Sequence, residues 1–134
     1  MSHLIAYVDG SSHGNPGSSG IGVVIEDSSG TKTRIGKWIG YQDNNVAEYV
    51  ALLEVLQRAV VLRAKVVRVY SDSLVVVRQM VGEYACQSPR LYSLNWTCRK
   101  LARSFDFSII HIPREHNREA NRLADSAARR RRRR

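Results

Sequence analysis

Three acids stand where oxygen-ligand chemistry can be built. Asp9 closes the apolar run LIAYVDG and opens the turn-rich stretch SSHGNPGSSG, Glu48 lies near the head of NNVAEYVALL, and Asp72 ends KVVRVYSD. Carboxylates brought together raise one another's pKa, so a cluster of three is costly without a counter-charge. A hard divalent cation supplies that charge, and Mg²⁺ takes one or two carboxylates while leaving room for water and phosphate oxygens. No His or Cys stands at metal-ligand spacing beside them, which points to Mg²⁺ or Mn²⁺ and away from zinc. Each acid taken singly also has an ordinary role, as a helix cap or as a complement to the helix dipole. What separates the two readings is whether the chain brings the three to one place.

The elements that must do so can be read from periodicity. LIAYVDG (4–10), GIGVVIED (20–27) and TKTRIGKWIG (31–40) read as three successive strands joined by turns. NNVAEYVALLEVLQRAVVLRA (44–64) shifts to helical spacing, with Ala47, Ala51, Leu52, Val55, Leu56 and Ala59 on one face and Asn44 or Asn45 as the cap. KVVRVYSD (65–72) reads as a strand, and SLVVVRQMVGEY as a helix that Asp72 would cap. RLYSLNWTCRKLARSF (90–105) is a further helix, FSIIHIP (107–113) the last strand, and Asn117 opens the last helix. The order β-β-β-α-β-α-α-β-α implies an α/β fold with a five-stranded mixed sheet, three antiparallel and then parallel strands, flanked by helices. Parallel strands end at a common edge. Asp9 and Asp72 therefore converge if their strands are neighbours, with Glu48 leaning over from its helix.

The 134 residues are enough for one domain that buries about two-thirds of its unfolded surface. Residues 1–128 form that domain, and 129–134 are a six-arginine run expected to be a disordered arm. The net charge is +9, of which that run supplies six, leaving +3 on the body. A polyanionic partner follows from such a surplus. No apolar run approaches the roughly 20 residues of a membrane span, and the N-terminus reads as a strand and not a signal peptide, so the expected location is cytoplasmic. Cys86 and Cys98 are too few for a disulfide framework and are expected as reduced thiols, with a single disulfide as the alternative.

In order along the chain, DGSSHGNPGSSGIG, NNVAEYVALL, VYSDSLVVVRQM and HIPREHNREANRLA together resemble the ribonuclease H type 1 family, from residue 3 to about 128. The resemblance implies an endoribonuclease that cuts the RNA strand of an RNA/DNA hybrid with two divalent ions, leaving 5′-phosphate and 3′-hydroxyl ends. Asp9, Glu48 and Asp72 match the first three family acids. The fourth is usually the D of an A-D-x-L-A pattern, and here that pattern reads Ala120-Asn121-Arg122-Leu123-Ala124.

Asn121 is therefore the candidate fourth ligand, through its neutral amide oxygen. Asp125 projects from the same side of the helix but about 6 Å further along. The stripe Ala120, Leu123, Ala124, Ala127 fixes the register and argues against a slide of one turn. Loss of one charge should weaken the second metal. The alternative is a catalytically weakened or inactivated hybrid- or nucleic-acid-binding module of the same fold, and another polynucleotide nuclease or an integrase-like relative of the fold would use similar acids.

Telling RNA from DNA means reading the 2′-hydroxyl. Backbone groups of Gly10, Ser11 and Ser12 and the side chains of Asn15, Asn44 and Asn45 are the candidate contacts. The family resemblance also implies a loop histidine that assists proton transfer, for which His116 is the candidate. His111 reads as structural, and His13 as a residue of the turn after Asp9. The connection EYACQSPR, with one arginine, leaves no place for the basic protrusion that many family members carry. The expected partner is an RNA/DNA hybrid, bound by a monomer with no obligate protein partner and no membrane.

Overall fold

The computed structural model describes residues 3–130. Its elements are β1 (His3–Gly14), β2 (Gly17–Asp27), β3 (Lys32–Gln42), α1 (Asn44–Val61), β4 (Val66–Ser71), α2 (Leu74–Met80), α3 (Pro89–Ala102), β5 (Asp106–His111) and α4 (Arg118–Arg130). A short 3₁₀ turn, Arg114–His116, precedes α4. The strands form one sheet in the order β3-β2-β1-β4-β5. β1–β2 and β2–β3 pair antiparallel, and β4 pairs parallel with both β1 and β5. This is the mixed sheet expected from the element order.

The two faces of the sheet are filled differently. On one face Leu4, Ala6 and Val8 of β1 and Val67 and Val69 of β4 join Leu52, Val55 and Leu56 of α1 in the core. On the other, α4 presents only small buried residues, Ala120, Ala124, Ala127 and Ala128. Glycines on β2 let it approach closely. A Cβ on Gly22 would stand 2.0 Å from the Ala120 carbonyl oxygen, and one on Gly20 would stand 2.5 Å from the Ala128 nitrogen. Among the described residues no helix is long and apolar enough to cross a membrane.

The structure corrects several local expectations. The stretch SSHGNPGSSG is not a loop. β1 continues to Gly14 and β2 begins at Gly17, so only Asn15 and Pro16 turn the hairpin, with Gly14 at a positive φ of 98°. Ser and Gly serve extended pairing here because the neighbouring hydroxyls of Ser12 and Ser19 satisfy each other and the Gln42 carbonyl. The α1 cap is Asp43, whose carboxylate accepts from the Val46 N–H at 2.9 Å, and neither Asn44 nor Asn45. The α2 cap is Ser73, not Asp72. α4 runs through Arg129 and Arg130, two residues past the expected domain end, while Arg131–Arg134 lie outside the described residues. Cys86 and Cys98 are free thiols.

Candidate active site

The parallel pairing of β1 with β4 ends at Val8 opposite Ser71. Asp9 is the next residue of β1 and Asp72 directly follows β4, so strand register alone sets them side by side at the sheet edge. Because Ser73 caps α2, the Asp72 carboxylate is released from backbone duty. Glu48 arrives from α1, which sits tightly against β1: a Cβ on Gly10 would stand 2.3 Å from the Ala47 carbonyl carbon. The Gly10 N–H donates to Glu48 Oε1 at 3.1 Å and fixes that side chain toward Asp9. One carboxylate oxygen from each of Asp9, Glu48 and Asp72 lies within 4.8 Å of the others.

The electrostatics are those of crowded buried acids. Burial, and then the neighbouring Asp72 charge, push Asp9 up to about 7, against the pull of Arg114. Glu48 is raised well above its ordinary range, first by burial and then by Asp9 and Asp72. Asp9 Oδ1, Asn117 Oδ1 and Asn121 Oδ1 are buried and have no hydrogen-bond partner. An unsatisfied buried acceptor costs about 1–3 kcal/mol. A hard cation or its bound water would satisfy such oxygens and lower both raised carboxyls, so this donor set, oxygen throughout, fits a divalent metal.

Asn121 belongs to the same neighbourhood. Its predecessor Ala120 lies against Gly22, and Gly22 pairs directly with Asp9. The Asn121 amide donates to the Arg114 carbonyl at 3.2 Å, which leaves Oδ1 as the free acceptor. Asp125 has other work. It accepts from His13 Nε2 at 2.8 Å and from Arg129 Nε at 3.0 Å. Burial pushes its carboxyl up, but the bonds and charges of His13 and Arg129 together outweigh that push and hold it below the usual range.

From the sequence Asn117 marks only the start of a helix, and its place in the site is not legible there. It is 2% exposed. Its amide donates to the Val8 carbonyl at 2.8 Å and more distantly to Asp72 Oδ2 at 3.4 Å, clasping the ends of β1 and β4 together. The available signal was its spacing of four from Asn121, which places both on one side of the helical path. Arg114 was missed as well, although its charge acts on Asp9.

The remaining candidates divide into committed and free groups. Gly10 N–H is spent on Glu48, and the Ser12 hydroxyl on the Gln42 carbonyl at 2.8 Å. Ser11 is half-buried at the same edge. Asn15 Oδ1 accepts from the Asn44 N–H at 2.9 Å, tying the hairpin turn to the start of α1. Asn15 and Asn44 are exposed and Asn45 is half-buried. His116 is exposed and lines a pocket with Tyr7, Glu26 and Lys32 that includes none of the three clustered carboxylates.

Residues 7–127 match the family described as reverse transcriptase-like. The ribonuclease HI of Halobacterium salinarum is 36% identical over 124 residues, covering 91% of this chain and 62% of that protein. The chain thus spans less than two-thirds of that relative's length. A crystal structure of RNase H1 from the same archaeon superposes with a TM-score of 0.88 at 35% identity, over 94% of this chain and 97% of that one. The N-terminal RNase H domain of Rv2228c from Mycobacterium tuberculosis gives 0.88 at 36% identity, over 94% and 98%. LC11-RNase H1, solved in complex with an RNA/DNA hybrid, gives 0.85 at 36% identity, over 93% and 96%. With the sheet order, the edge-sharing carboxylates and these likenesses in agreement, the chain belongs to the reverse transcriptase-like family as a ribonuclease H type 1 domain.

Proposed function

We propose that this protein is an endoribonuclease that hydrolyses the RNA strand of RNA/DNA hybrids, leaving 5′-phosphate and 3′-hydroxyl ends. The observation that carries this reading is the convergence of Asp9, Glu48 and Asp72 at the end of two parallel strands, with the Asp9 Oδ1 unpartnered. Asp9, Glu48, Asp72 and Asn121 hold the divalent ions, Mg²⁺ first and Mn²⁺ as the alternative. When bound, such ions supply activation of the attacking water and stabilisation of the leaving oxygen. The chain's own residues do the positioning. Gly10 and Asn117 aim the carboxylates. Asn15, Asn44 and Asn45 offer short amides to the sugar edge, where the 2′-hydroxyl distinguishes RNA. Phosphate and sugar contacts carry no base information, so cleavage is nearly blind to sequence. The protein works as a cytoplasmic monomer.

The neutral Asn121 favours a second reading in which the same fold binds hybrids and cuts them weakly. One experiment separates the two. Labelled RNA/DNA hybrid, RNA duplex and DNA duplex are incubated with Mg²⁺, with Mn²⁺ or with chelator. Metal-dependent cleavage confined to the hybrid's RNA strand is the expected result. Hybrid binding without cleavage under either metal would leave only the binding module.

A further inference from the structure

The outer face of α3 has no part in the site described above, yet its composition is far from that of an ordinary solvated helix. From Tyr84 to Phe105 the sequence contains no acidic residue, while it contains Arg90, Arg99, Lys100 and Arg103. Tyr92, Trp96, Arg99 and Arg103 follow one another at steps of four, three and four, which puts them on a single stripe, with Lys100 beside it. Tyr92 is 59% exposed and Trp96 53%. The inward side of the helix is already satisfied. Asn95, Cys98 and Ala102 are buried, and Asn95 donates to the Tyr49 hydroxyl and the Gln79 carbonyl. Packing therefore does not require the outward aromatics.

Nor are the cations neutralised. Among the described residues none of Arg90, Arg99, Lys100 and Arg103 is in an ion pair with a carboxylate. Lys100 Nζ instead lies 4.9 Å from the centre of the Trp96 ring. The stripe and Lys100 line a pocket of about 250 Å³, with Asn95 at its inner edge. At the helix's N-terminal end, Arg90 donates to Gln42 Oε1 at 3.5 Å, one residue before the Asp43 cap and two before Asn44. The helix thus begins beside the edge where the candidate sugar contacts stand, and the stripe on its outer face runs away from that edge.

We propose that this face of α3 binds single-stranded nucleic acid, taking an unpaired extension of a hybrid as it leaves the active-site edge. Exposed aromatic faces interleaved with unpaired cations are what a flexible polyanion with stackable bases requires, and base stacking on such rings is tolerant of sequence. A duplex keeps its bases stacked on each other and would use the cations alone. A membrane surface would need the apolar side of the helix, which is buried in the protein. The inference goes beyond the proposed cleavage, and it rests on that reading only for the presence of a hybrid at the neighbouring edge.

The test measures binding of the full chain, in chelator, to a blunt hybrid and to the same hybrid carrying an oligothymidylate overhang. The overhang should tighten binding about tenfold, the effect of one to two stacked bases. Trp96→Ala with Lys100→Ala should erase that gain, with blunt-hybrid affinity and metal-dependent cleavage unchanged, and Trp96→Phe should keep most of it. Free oligothymidylate should quench Trp96 fluorescence in a Trp38→Phe background. An overhang that adds nothing, a gain that survives in the double variant, or polyglutamate competing as well as oligothymidylate would overturn the proposal. The blunt-hybrid arm keeps the two readings apart, since loss of cleavage there with Trp96-dependent overhang binding intact would count against the nuclease alone.

Discussion

Asn121 leaves the site one negative charge short of the pattern its family resemblance implies, and it leaves a buried Oδ1 free to act as a ligand. Asn121→Asp restores the charge, so the divalent-ion concentration at half activity should fall by about tenfold. Asn121→Ala removes the oxygen altogether and should cost most of the activity. Asp125→Ala should leave metal dependence where it was, because that carboxylate is occupied by His13 and Arg129. Metal titrations of the three variants check this, and a shift confined to Asp125→Ala would mean the fourth ligand is misassigned. Asn117 has a different duty. It spans the Val8 carbonyl and the Asp72 carboxylate, so Asn117→Ala frees both. Calorimetric metal binding should weaken in that variant, and kcat should drop with KM for hybrid nearly unchanged. A rise in KM at constant kcat would instead place Asn117 among the substrate contacts.

At the scale of elements, the site depends on how closely two helices approach the sheet. Gly22 faces the Ala120 carbonyl and Gly10 faces the backbone of Ala47. Gly22→Ala must push α4 outward, at a cost of roughly 1–3 kcal/mol or more. Denaturant unfolding should show that loss, and unchanged stability would show that α4 yields without strain. Much of this arrangement was legible from the residues. Helical spacing in Ala47–Ala59, the apolar strand ending at Asp72 and the alanine stripe of α4 each led to the observed element, and the element order led to the sheet. What stayed hidden has a common cause. Ser71, Ser73, Asp43 and Asn44 are all competent caps or turn formers, and only tertiary placement selects among them. The serines and glycines of SSHGNPGSSG have the composition of a loop, and they pair as strands because α4 and the Gln42 carbonyl complete them. Asn117 escaped because its partners lie on β1 and β4, far from it in sequence.

For the whole molecule, the clustered acids couple metal, pH and stability. Asp9 titrates at about 7 in the fold against 3.8 ordinarily, and Glu48 shifts in the same direction. Between those pH values the folded state binds more protons than the unfolded chain, so stability in chelator should fall as pH rises through that window. A divalent cation offsets the repulsion, and its stabilising effect on Tm should be larger near about pH 8 than near about pH 5. Thermal scans with and without Mg²⁺ check this, and a pH-independent increment would mean the acids are not the binding group. Asp9→Asn removes a buried charge, and in chelator near about pH 8 it should raise Tm by a few degrees. The same variant gives the most direct test of function. Cleavage of a labelled RNA/DNA hybrid in Mg²⁺ is measured beside hybrid affinity in chelator. The expected result is cleavage lost by several orders of magnitude with affinity unchanged, and an Asp9→Asn protein that still cuts the hybrid at the parent's rate would contradict the assignment of this edge as the catalytic centre.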